Sequence, residues 1–155
     1  MTDTEDLPHS TKGSRACVYV YTAHVRSPQV ASQVLAGRRL AESEGYKIMK
    51  TEIDGGRNSA MLSQRDGLQR VLAAAGEGKF EALLIHNTDC LPRNPTDLIG
   101  VLTQLCTCRV EIHSVAEGVI DVQAMMRAAA DNIWEGQAER SAKRPAAPDR
   151  SSQHG

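Results

Sequence analysis

Four short apolar runs alternate with segments of helical periodicity, and that alternation leaves the chain very few architectures. The first run, residues 16–22, reads Ala-Cys-Val-Tyr-Val-Tyr-Thr and is expected to form a buried strand. Pro28 interrupts the chain. From 29 to 44, Val30, Val34, Leu35 and Leu40, with Ala31 and Ala41 beside them, recur at helical spacing as far as Gly45, where a helix stop is expected. Residues 47–53 read as a second strand, and the loop from Asp54 to Ser59 gains freedom from the paired Gly55 and Gly56. Leu68, Val71 and Leu72 predict a helix over 66–75, ended by Gly76 and Gly78. The run at 81–86, Glu-Ala-Leu-Leu-Ile-His, is apolar enough for the centre of a parallel sheet. Beyond Pro92 and Pro95, a helix is expected over 96–106, a strand over 109–115 and a long helix over 122–142.

This strand-helix order predicts an α/β fold: an open, mainly parallel sheet of four to five strands with helices on both faces, plus a long C-terminal helix. A length of 155 residues suits one domain with short extensions. The expected organisation is a disordered leader at 1–15, an α/β body at 16–120, the long helix at 121–144 and a disordered tail at 145–155, where Pro145 and Pro148 stand. The first fourteen residues are polar and lack the apolar stretch of a secretory signal. No apolar run approaches the roughly 20 residues that cross a bilayer, so no membrane partner is expected and a cytoplasmic location is the default.

The 18 basic and 19 acidic residues leave a net charge of −1, which argues against a strong, non-specific nucleic-acid binder while permitting a local basic patch. Cys17, Cys90, Cys106 and Cys108 do not form a disulfide framework. The Cys106-x-Cys108 pair with His113 lacks the second ligand pair of a zinc site. No metal or cofactor is expected, and no Gly-x-Gly-x-x-Gly or Walker glycine-lysine pattern supports a nucleotide site.

In sheets of this kind, active sites lie at the carboxyl ends of the strands. Tyr19, Tyr21 and Ala23 share one face of the first strand by period-two alternation. Asp54 follows the second strand, Arg65 opens the second helix, and Asn87, Asp89, Cys90 and Arg93 follow the third. Acids and arginines in such loops also cap helices and hold turns, so Asp54, Arg65, Asp89 and Arg93 read equally as structural groups.

The ordered series Gln33, Gly45-Tyr46, Asp54 with Gly55-Gly56, Arg65-Asp66-Gly67-Leu68 and Asp89-Cys90-Leu91-Pro92-Arg93-Asn94 resembles the catalytic domain of the serine recombinases, from about residue 16 to 144. The resemblance implies a chemistry in which a serine hydroxyl attacks a DNA phosphodiester and arginines stabilise the charge that develops. It also marks departures. The family pattern Tyr-x-Arg-x-Ser falls on Tyr19-Val20-Tyr21-Thr22-Ala23, so the nucleophile position holds Ala23 and an arginine position holds Tyr21. The pattern Asp-Arg-Leu-x-Arg keeps Asp89 and Arg93 but holds Cys90 at its first arginine. Each missing preorganised donor typically costs on the order of 100-fold or more in rate, so a degenerate member without DNA cleavage is expected. Ser27 and Tyr21 are the remaining hydroxyls near the site that could substitute.

The family's long helix carries its dimer contact. Here Met125, Met126, Ala129, Ile133 and Trp134 lie close to one helical stripe, and Met126, Ile133 and Trp134 are the candidate interface. The candidate DNA contacts are Arg65, Arg93, Arg140, Lys143 and Arg144. The expected partners are a second copy, and DNA or an active recombinase. Three readings stand in order: a dimeric or partner-binding accessory, a non-specific DNA-binding module, and a repurposed pocket using Asp54, Asp89, His86 and Arg93 on a small substrate.

Overall fold

The computed structural model describes residues 13–24, 26–56 and 61–143, the last helix by its backbone alone beyond residue 136. The expected leader up to residue 12, the side chains of Arg140 and Lys143, and everything from Arg144 onward lie outside the described residues. The elements run β1 (Arg15–Thr22), α1 (Pro28–Glu44), β2 (Lys47–Gly55), α2 (Asp66–Gly76), β3 (Ala82–Ile85), α3 (Pro95–Thr107), β4 (Glu111–Ser114), β5 (Gly118–Val119) and α4 (Val122–Lys143). Single 3-10 turns at Leu62–Gln64 and Thr88–Cys90 precede α2 and α3.

The sheet order is β2-β1-β3-β4-β5, parallel except for the antiparallel β4–β5 pair. The α/β class, the mainly parallel sheet and the long last helix are as the sequence pattern predicts. Helix α1 covers one face, where Val30, Val34, Leu40 and Ala41 meet Ala16, Val18, Val20 and Leu84. Helices α2 and α3 cover the other through Leu68, Val71, Leu102 and Leu105 against Cys17, Tyr19, Leu83 and Ile112. Gly37 allows α1 to sit close: a Cβ there would stand 2.9 Å from Val18 Cγ1. Helix α4 packs its inner half on the α3 side through Val122, Met125 and Met126.

The boundaries differ from the sequence reading in informative ways. Helix α1 begins at Pro28 rather than after it, because proline suits the first helical position, where its missing N–H has no partner to lose. Ser27 caps that end by accepting from the Gln29 N–H at 3.0 Å, and Gly45 closes the helix in the left-handed region at φ 81°. Strand β2 runs two residues further than expected, to Gly55, because the end of β1 pairs with it, Tyr21 against Asp54 and Thr22 against Gly55. That extension carries Asp54 to the end of α2. β5 is two residues long, too short to leave a periodic signature.

Candidate active site

Strand order reverses at β1, since the chain leaves β1 for β2 on one side and returns to β3 on the other. Such a switch point opens a crevice at the strand carboxyl ends, and a cavity of about 330 Å³ lies there. Tyr21, Thr22 and Ala23 line it from the end of β1, Gln29 and Gln33 from the first turns of α1, and Asn87, Asp89, Cys90 and Arg93 from the turn after β3, with Arg65 completing the wall. Gln29 is the lining residue that the sequence reading passed over. Its signal is its spacing, four residues before Gln33 on the same face of one helix.

Two of the expected site residues serve the scaffold. Asp54, buried beneath the strand ends, is absent from the cavity lining. Its carboxylate accepts from the Tyr19 hydroxyl at 2.7 Å and from the N–H groups of Gly67 and Leu68 at 2.7 and 2.8 Å. It therefore caps the first turn of α2 from another element and complements the positive end of that helix. Gly67 makes this approach feasible, because a Cβ there would stand 2.9 Å from Asp54 Oδ1. Tyr19 is fully buried, and its phenol is raised above the ordinary tyrosine range, first by burial and then by its bond to Asp54, with Arg65 opposing.

Arg65 is the largest side chain fully inside the domain, at 1% exposure. Its Nη1 donates to the Cys90 carbonyl at 2.7 Å, and its Cζ lies 3.8 Å from the centroid of the Tyr21 ring. It thus ties the turn after β3 to the end of β1. Arg93 is the opposite case: 79% exposed at the rim, with Asp89 3.6 Å away across one helical turn's spacing. An exposed pair of this kind contributes about 0–1 kcal/mol and leaves the guanidinium mobile. Cys90 is buried, its Sγ 3.7 Å from Gln33 Oε1.

The hydroxyls near the cavity are engaged. Thr22 is buried, and its Oγ1 donates to the His24 carbonyl at 2.8 Å. Ser27 caps α1 and does not line the cavity. Ala23 is exposed at the cavity wall. His86, directly after the end of β3, does not line the cavity either, and its buried Nδ1 has no hydrogen-bond partner among the described residues. The structure therefore brings Tyr21, Ala23, Asp89, Cys90 and Arg93 together with Arg65 behind them, and places Tyr19 and Asp54 below and His86 aside.

On the last helix, Met126 packs against its own domain and Thr103 Oγ1 lies 3.6 Å from its sulfur. Ile133 is half-buried, and Trp134 is 72% exposed. Among the described residues no helix is long and apolar enough to cross a membrane, and no three His, Cys, Asp or Glu side chains converge as a metal set would.

Known proteins share this fold. The fold is similar to the N-terminal catalytic domain of TP901-1 integrase, at 18% identity over 81% of this chain and 98% of that one, with a TM-score of 0.69. It is also similar to a resolvase family site-specific recombinase from Streptococcus pneumoniae, at 15% identity over 91% and 97% of the two chains, with a TM-score of 0.66. The C-terminal catalytic domain of ISC1926 TnpA, an IS607-like serine recombinase, matches at 20% identity over 77% and 79%, with a TM-score of 0.58. At such identities the likeness is one of fold. No curated protein matches the sequence. The family described as Resolvase, N terminal domain, matches residues 21–145, most of the sheet together with the whole long helix. The chain therefore belongs to the resolvase N-terminal-domain family and is a serine-recombinase-like domain.

Proposed function

We propose that this domain has lost DNA cleavage and acts as a dimeric or partner-binding accessory in DNA recombination or DNA binding. The strand-end cavity is the counterpart of the phosphate site of the family, and the observation that carries the reading is what stands there. The nucleophile position is the methyl group of Ala23, exposed on the cavity wall, and a methyl group cannot attack phosphorus. Thr22 is buried with its hydroxyl bonded to backbone, and Ser27 is occupied as a helix cap. Tyr21 and Cys90 stand at two positions where the family holds arginines. A dianionic transition state would find Arg93 as its one exposed cation among the described lining residues.

Residues 16–120 then serve as the catalytic-type body, and 121–144 as the dimerisation-type helix, with Trp134 and Ile133 toward a second copy or an active recombinase. Arg93, with Arg140, Lys143 and Arg144, supplies the phosphate contacts in a cytoplasmic setting.

The test joins two assays. Incubation with nicked and supercoiled DNA, followed by denaturing gels, is expected to give no covalent protein–DNA adduct for the wild type or for Ala23→Ser, whose restored hydroxyl still lacks two cations. An adduct with the wild type would overturn the loss of cleavage. Fluorescence anisotropy with a random duplex at two salt concentrations is expected to give binding that weakens steeply with salt. Absence of binding at low salt would leave a protein-interaction role or a repurposed pocket.

A further inference from the structure

We propose that this chain carries a second self-association contact, separate from α4, in which the exposed face of α1 on one copy seats Leu35 in a groove on the next. The groove, of about 360 Å³, lies between the end of α3, the start of β4 and the entry to α4. Val110, Ile120 and Val122 make it mainly apolar, and Arg109, Glu111 and Asp121 set one positive and two negative groups around it. Asp121 uses one carboxylate oxygen to cap α4, accepting from the Ala124 N–H at 3.0 Å. None of the three charged groups is in an ion pair among the described residues.

The occupant follows from charge complementarity. Leu35, Arg38, Arg39 and Glu42 recur at i, i+3, i+4 and i+7 and so share one face of α1. All four are exposed, Leu35 at 47%. Ile53, in register with Val20 on the α1 side of the sheet, adds another exposed apolar group. The α1 face thus presents an apolar centre with two positive groups and one negative, again outside any ion pair among the described residues. The groove presents an apolar centre with the inverse charges. Complementary charge of this kind steers encounter and fixes register. Ile53 lies on β2, one edge of the sheet, and Ile120 follows β5, the other edge. One molecule therefore cannot fill its own groove, and two copies meet head to tail.

Sedimentation equilibrium at low salt, with Trp134→Glu present throughout to remove the proposed α4 contact, is the test. The weight-average mass is expected to rise with protein concentration, and less so at high salt. Leu35→Glu sets an anion against the two carboxylates of the groove, and Gln123→Arg sets a cation at a residue that lines it. Each is expected to weaken the association at least about tenfold. Both positions are exposed, so both variants should keep the parent's urea midpoint. The deciding sample is the equimolar mixture. L35E retains an intact groove and Q123R an intact α1 face, so together they are expected to form a one-to-one complex that neither forms alone. A mixture no heavier than its components overturns the proposal, as does association that persists unchanged in L35E. A monomer at every concentration in the W134E parent overturns it too, and leaves α4 as the contact between copies.

Discussion

Replacing Asp54 separates a structural from a functional carboxylate. In the fold it accepts three hydrogen bonds, from Tyr19 and from the N–H groups of Gly67 and Leu68, at 8% exposure. Hydrogen bonds to a charged acceptor contribute about 1.5–3 kcal/mol each, but they are not additive around one group. Loss of a helix cap alone costs about 1 kcal/mol. Asp54→Ala also takes from the fully buried Tyr19 hydroxyl the carboxylate it donates to, adding roughly 1–3 kcal/mol of desolvation penalty. Together these place D54A at about 3–5 kcal/mol of destabilisation.

Asp54→Asn keeps an accepting oxygen and is expected to lose about 1–3 kcal/mol, and Tyr19→Phe about 1–1.5 kcal/mol. The assay is equilibrium urea unfolding with the slope of each transition compared. The double variant Y19F/D54N should fall short of the sum of its parts by at least about 0.5 kcal/mol, because Y19F removes and D54N weakens the same bond. A D54A loss below about 1 kcal/mol would refute the capping role. Should D54A fail to fold, D54N and the cycle carry the same test.

Two further outcomes are expected. Burial pushes the Cys17 thiol and the Tyr46 phenol up to about 12, and burial followed by the Asp54 bond raises Tyr19 further. Each group stays protonated in the fold while its unfolded counterpart ionises, from 9.0 for the thiol and 10.0 for the phenols. Their stabilisation is therefore complete below those values and is lost as pH rises toward the folded ones. The slope is about 1.4 kcal/mol per pH unit for each group in its window. Urea melts across that range should show the decline, and Cys17→Ala should delay its onset by about one pH unit; a flat profile would contradict the burial argument. On α4, Trp134 is 72% exposed, so Trp134→Glu should change monomer stability by no more than about 0.5 kcal/mol. The same change should weaken the proposed self-association at least about tenfold in sedimentation equilibrium, and unchanged association would remove Trp134 from the proposed interface.

Legibility differed sharply between elements. The four parallel strands and four helices stood in the periodicity, because burial on a sheet or beneath a helix face repeats at 2.0 or 3.6 residues. The turn after β3 and Arg65 were recognisable as parts of one site from their order along the chain. What each residue does there was not. Asp54 and Asp89 look alike in sequence, both acids after a strand, yet Asp54 is a buried cap and Asp89 an exposed partner of Arg93. Arg65 and Arg93 look alike too, and one is enclosed while the other is at the rim.

The sequence by itself determined the order of elements, the strand ends as the place where the polar residues collect, and Ala23 as the residue that follows β1 there. All of these are local properties: spacing, propensity and the identity of single residues. Only the tertiary structure decided which polar groups remain available, because that depends on contacts between segments far apart in the chain. Tyr19 reaches Asp54 across 35 residues, and Arg65 is enclosed by the end of β1 and the turn after β3 at once. Burial and pairing are set by the side chains that arrive from elsewhere, and no local pattern records them.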